Sequence, residues 1–216
     1  MRILPCLLAC LIGSNLAVGQ DQPIAFLGAR VIPVTGPEIE RGVVVIHRGR
    51  ILAVGPMDQV SIPQQAILRE LDGKTIMPGL VDTHSHLGGP FAADGSAPIQ
   101  PEVRSLDSVN VRDAGFQKAQ AGGITTVNIM SGSGHLLSGQ TIYLKLRDGT
   151  TIDDLLIRNP DGSIAGGVKM ANGTNSIRPG GGPFPGTRAK SAALVREQFI
   201  KADEYRQKIA RAAGDP

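Results

Sequence analysis

The stretch TIMPGLVDTHSHLGG, residues 75–89, decides how this chain reads. It starts as a short apolar strand and turns polar at its C-terminal end. Successive strand side chains point to opposite faces, so Asp82, His84 and His86 share one face. Two neutral imidazoles two residues apart can chelate one divalent ion of the Zn, Ni, Fe or Mn type. At the C-terminal end of a barrel strand such a pair faces the mouth where active sites form. Asp82 sits one step deeper and is placed to orient an imidazole. Gly88-Gly89 follow, and glycine lets backbone approach a ligand closely. The plainer alternative is two histidines at an exposed loop end.

Downstream, residues 103–121 are compatible with a helix, which Gly122-Gly123 would end. ITTVNIM, residues 124–130, is a β-branched buried strand. Strand, helix, strand in that order predicts a βαβ unit and an α/β fold with a parallel sheet. Residues 140–147 read as another strand or as part of an excursion. Residues 176–188 form a Gly/Pro-rich loop before a helix over 189–213. On that helix Val195, Phe199, Ala202, Tyr205, Ile209 and Ala212 line one face, and Glu197–Lys201 and Glu204–Lys208 are i,i+4 pairs.

Upstream, apolar runs over residues 24–35, 42–48 and 50–55 predict strands, with a hairpin turn at Arg48-Gly49-Arg50. Residues 66–71 add a strand before the Asp72-Gly73 turn. Residues 20–75 thus read as a small β module of short antiparallel strands.

MPGLVDTHSHL resembles the first barrel strand of the amidohydrolase superfamily, close to its imidazolonepropionase-like members. AGGITTV resembles that family's second-strand region. GVKMANGTNS and PGTRAKSAALVREQFIKADEY are similar to segments of a bacterial subgroup of it. The resemblance runs from about Ile24 to the C-terminus and implies a (β/α)8 TIM barrel preceded by a small β-sandwich segment. It implies a hydrolase acting on C–N bonds of a small-molecule amide or cyclic amide. The cofactor it implies is a divalent metal ion, zinc the expected one, which polarises a carbonyl and activates water. His84 and His86 match the family's two first-strand metal ligands. Lys169, in GGVKMANG, or Lys145, in YLKLR, is a candidate for the carboxylated lysine that bridges two metals in some members; an ordinary solvated lysine is the alternative for each.

The family's later histidines and late Asp have no counterpart before Pro216. Residues 76–216 also fall short of the ~250 residues of a whole barrel. The expectation is therefore an incomplete barrel: the N-terminal portion of such an enzyme, inactive by itself. The alternative is a non-catalytic remnant, or a half that needs a complementing chain; a homo-oligomer is also open.

Residues 1–19 carry one charge at Arg2, an apolar stretch over residues 3–12, and small residues in Ala17-Val18-Gly19. That is the pattern of a secretory signal peptide, so the protein is expected to be exported, periplasmic or secreted. The stretch is too short to span a membrane. A lipobox at Leu7-Leu8-Ala9-Cys10 is a competing reading, with Cys10 lipidated. Cys6 and Cys10 are the only cysteines, and cleavage after Gly19 would remove both. A cysteine nucleophile or zinc finger is then excluded.

Composition sets the remaining bounds. Of 216 residues 41% are hydrophobic and 19% charged, ordinary for a globular chain and unlike a disordered one. The formal charge of +3 is scattered, and only 3% of residues are aromatic, so nucleic acid is not an expected partner. His135, in SGSGHLLSG, reads as a loop histidine or a substrate contact, and His47 as structural.

Overall fold

The computed structural model describes residues 21–89, 94–180 and 182–214. The signal-peptide and Cys10 readings lie outside these residues. The chain divides into two compact units, with the boundary between Pro78 and Gly79.

The first unit is one five-stranded sheet. Its strands are β1 (Ile24–Val31), β2 (Ile39–His47), β3 (Arg50–Pro56), β4 (Ile67–Glu70) and β5 (Thr75–Ile76). The order is β3-β2-β1-β4, with β5 also on β1. The predicted hairpin joins β2 to β3: Arg48 and Gly49 both have positive φ, 49° and 72°, as a two-residue turn matched to strand twist requires. Leu27 opposite Val43 and Ala25 opposite Val45 make the buried face, which Val60, Ile62 and Ala66 cover. A bulge interrupts β1 at Gly28, whose φ is 77°. A Cβ there would lie 2.5 Å from Asp72 Oδ1, so glycine is required twice over.

One expectation for this unit is corrected. β4 and β5 pair parallel to β1, not antiparallel, because the chain crosses over through residues 57–66 before returning to the sheet. The described residues of this unit form a single sheet.

The second unit begins with the predicted βαβ. β6 (Leu80–Ser85) and β7 (Ile124–Ile129) are parallel neighbours, and α1 (Ala114–Ala121) lies between them in sequence. Phe116 of α1 packs into a core with Val127, Ile129, Ile142, Leu144 and Leu155. The helix is shorter than the sequence pattern predicts. Asp113 caps it, accepting from the Gly115 N–H at 2.6 Å. Before it, Asn110 takes the Arg112 N–H and Asp107 takes the Arg104 guanidinium, so short polar side chains hold residues 104–112 in turns.

A barrel is not closed among the described residues. β9 (Ile142–Lys145) runs antiparallel along the edge of β7, where a closed parallel barrel would place its next strand, giving the order β6-β7-β9. Residues 137–170 are thus the excursion: β8 (Leu137–Gln140) pairs with β10 (Val168–Met170), and α2 (Ile152–Leu155), with a capping box at Thr151 and Asp154, lies between.

The long helix, α3 (Arg188–Ala212), starts at its Thr187 cap. Glu197–Lys201 closes as predicted. Among the described residues Glu204–Lys208 does not, and Asp203 instead takes Arg206 and Gln207. The apolar stripe is present in register but not buried: Phe199, Tyr205 and Ile209 are each more than half exposed. No helix among the described residues is long and apolar enough to cross a membrane.

Candidate metal centre

β6 delivers His84 near its C-terminal end, and His86 follows one residue beyond it. The parallel partner fixes what happens next. The Met130 N–H donates to Ser85 O at 3.0 Å, continuing the ladder one residue past the end of β7. The Met130 carbonyl then lies 2.7 Å from His86 Nδ1. A carbonyl can only accept, so Nδ1 carries the proton and Nε2 of the neutral ring keeps its lone pair. This is the backbone bond that commonly orients a metal-ligating histidine.

The two imidazoles stand edge to face, centroids 5.2 Å apart and planes at 89°. Asp82 does not orient either ring. Its Oδ1 accepts from the His84 backbone N–H at 3.0 Å, which shapes the strand end and leaves the His84 ring free of it. Gly88 is also closely packed: a Cβ there would meet Val109 at 2.9 Å and Phe116 at 3.0 Å.

The third member of the cluster comes from 85 residues away. Lys169, central in β10, is 7% exposed, and its Nζ is 3.2 Å from His84 Nε2. Burial pushes the lysine's pKa down. The lysine's charge is the largest influence pulling His84 down, followed by burial and His86, with Asp82 opposing. Both groups are thereby driven toward their neutral forms, in which each presents a lone pair. Lys145 is elsewhere: it is exposed on β9 and reaches Thr126 Oγ1 at 3.3 Å. The structure thus separates the two candidate lysines.

Among the described residues no group of three or more His, Cys, Asp or Glu side chains gathers around one point. The cluster is two histidines and a buried lysine, and its donors suit a borderline divalent ion.

No family model matches the chain. An amidohydrolase, TasK, of Hapsidospora irregularis is 31% identical over 181 residues, covering 76% of this chain and 18% of that protein. The imidazolonepropionase of Paracoccus denitrificans is 42% identical over 80 residues, 36% of this chain and 19% of the other. The crystal structure of an amidohydrolase from Thermotoga maritima superposes with a TM-score of 0.70 at 28% identity, over 89% of this chain and 51% of that one. The chain belongs to the amidohydrolase superfamily, among its imidazolonepropionase-like members. It spans about half the length of the Thermotoga structure and less than a fifth of each of these two relatives.

This amidohydrolase chain has two other histidines. His47 ends β2 in the first unit, with its Nε2 buried and unpartnered among the described residues. His135 lies in the loop between β7 and β8 and is 4% exposed. Neither Met130 as the anchor of His86 nor the surroundings of His135 carries a signal in the sequence.

Proposed function

We propose that this chain carries the metal-holding strand ends of an exported amidohydrolase that hydrolyses a C–N bond of a non-peptide amide or cyclic amide. The observation that carries the reading is the approach of Lys169 Nζ to His84 Nε2, beside a His86 ring whose Nδ1 is tied to Met130 O. The residues fit a divalent ion. Nε2 of His86 is a bare lone pair, His84 is held toward its neutral form, and no carboxylate among the described residues neutralises the buried lysine.

His84 and His86 would hold the metal, zinc being the proposed ion. When bound, such an ion would polarise a carbonyl and lower the pKa of a bound water to about 7, supplying a nucleophile at neutral pH. The Met130 carbonyl keeps His86 in the ligating tautomer, and Asp82 fixes the backbone of the strand end through the His84 N–H. Lys169 is proposed to be carboxylated. The neutral amine forms an N–C bond to carbon dioxide, one N–H proton leaves to solvent, and the carbamate replaces a costly buried cation with an anionic oxygen donor.

The full-length protein is the material for the test. Hydrolysis of simple amides and cyclic imides should require added zinc and vanish in His84→Ala. Turnover unchanged by His84→Ala would remove the catalytic assignment, and a protein that takes up no metal would be the non-catalytic remnant. Export is tested separately: N-terminal sequencing of the mature protein should begin at Gln20.

A further inference from the structure

The segment GVKMANGTNS contains a dipeptide that the metal centre does not use, Asn172-Gly173. It begins two residues past the end of β10, the strand of Lys169. Both residues are exposed. Among the described residues neither the Asn172 side-chain amide nor the Gly173 N–H has a hydrogen-bond partner. The backbone does not demand the glycine. Its φ of −86° is one that any residue adopts, and a Cβ built there meets nothing within 4 Å. What glycine adds is an unshielded backbone nitrogen beside an unbonded amide.

The other described asparagines lack this combination. Asn110 accepts from the Arg112 N–H and precedes Val111, which is branched at Cβ. Asn128 lies inside β7. Asn159 precedes a proline, which has no N–H to attack with. Asn175 precedes Ser176, which is fully buried in a single 3-10 turn.

The anchoring of the segment makes the position matter. Ser176 Oγ lies 2.8 Å from Ala171 O and 3.2 Å from Gly173 O, so its hydroxyl is shared between carbonyls on the two sides of Asn172. The Ala171 N–H donates to Leu136 O at 3.1 Å, extending the pairing of β10 with β8 by one residue. The turn that closes β10 is therefore held by a contact that spans Asn172.

We propose that Asn172 is a site of spontaneous deamidation, and that its isoaspartyl product loosens the end of the strand that holds Lys169. The Gly173 nitrogen bonds to Asn172 Cγ and gives up its proton to solvent. The Cγ–Nδ2 bond breaks, and ammonia leaves with a proton taken from water. A five-membered succinimide remains, and water opens it. Cleavage of the ring C–N bond at the side-chain carbonyl gives aspartate. Cleavage at the α-carbonyl gives isoaspartate, whose main chain runs through Cγ and is one carbon longer. That carbon separates the two carbonyls that Ser176 bridges, and a new carboxylate stands three residues from the buried lysine.

The test ages the full-length protein in mildly alkaline buffer beside a free peptide of residues 166–178. Mass spectrometry with fragmentation separates Asn172 from Asn175 and aspartate from isoaspartate. The folded protein should convert at Asn172, with isoaspartate among the products. Gly173→Ala, for which the backbone has room, should slow the conversion about tenfold or more. Hydrogen exchange at the β10 amides should quicken in aged wild type and stay unchanged in aged Gly173→Ala. An amide retained in the folded protein while the peptide converts would overturn the site. So would conversion centred on Asn175, or aspartate formed without isoaspartate. Unchanged β10 exchange in converted protein would overturn the effect on the strand.

Discussion

Replacing Ile129 by alanine should damage both the core and the metal centre, because one residue joins them. Ile129 is fully buried at the end of β7, pairs across the sheet with Ser85 and Ile142, and directly precedes the carbonyl that holds His86. Truncating a buried isoleucine to alanine costs about 2–5 kcal/mol, from lost transfer free energy and the cavity left behind. Sheet neighbours on both sides limit collapse into that cavity, which argues for about 3 kcal/mol. Against a total stability of roughly 5–15 kcal/mol this is a large share. With a urea slope of ~2 kcal/mol/M the midpoint should fall by ~1–2 M. Ile129→Val should cost only about 0.5–1.5 kcal/mol. Near-ultraviolet circular dichroism suits the assay, since the chain has two tyrosines, no tryptophan, and both tyrosines lie in the second unit. The second readout is the His86 Nδ1 proton, which should exchange slowly in the wild type and be lost in the alanine variant. Zinc affinity should then fall about 10–100-fold, as it does when the group orienting a ligand is disturbed. A loss of stability below about 1 kcal/mol, or an unchanged Nδ1 proton in a destabilised protein, would refute the link between this core position and the site.

Three further outcomes are expected. Gly28→Ala should destabilise the first unit by about 1–3 kcal/mol, because the positive φ and the contact with Asp72 both oppose a Cβ; thermal unfolding of that unit reads it. Thr187→Ala should cost about 1 kcal/mol and fray the start of α3, seen as lost far-ultraviolet helix signal. Burial and Arg178 lower the His135 pKa while Asp94 opposes them, so the unfolded chain binds more protons than the folded one once the pH falls below about 6.5. That group therefore costs stability on acidification, with the loss growing until the pH reaches the lowered folded value. Urea midpoints of His135→Asn should show a shallower fall with acid than those of the wild type.

What the sequence discloses and what it hides divide by range. The β2–β3 hairpin is legible because two adjacent residues with positive φ set it. The β6-α1-β7 unit is legible because strand, helix and glycine stop follow one another within 50 residues. The start of α1 is misread because side chains at 104–113 bond nearby groups, and a helix-compatible composition does not show that competition. The parallel placement of β4 and β5 is hidden because their partner β1 lies some 40 residues earlier. The antiparallel β9 is hidden for a related reason: a strand of only four residues, Ile142–Lys145, fits a parallel or an antiparallel edge equally well. At the site, the histidine pair announces itself by two-residue spacing. Lys169 and Lys145 each follow an apolar neighbour in a strand-like run. Only the pairing of β10 with β8 turns one of them toward His84 and leaves the other in solvent.

The central claim is that His84 and His86 ligate one divalent ion beside Lys169. The most direct measurement is the visible absorption spectrum of the cobalt-loaded protein, taken alongside the carbon-13 signal of a lysine carbamate in labelled bicarbonate. The account predicts ligand-field bands that are lost in both His84→Ala and His86→Ala, and a carbamate signal lost in Lys169→Met. Cobalt bands that survive both histidine substitutions would place the metal elsewhere and contradict it.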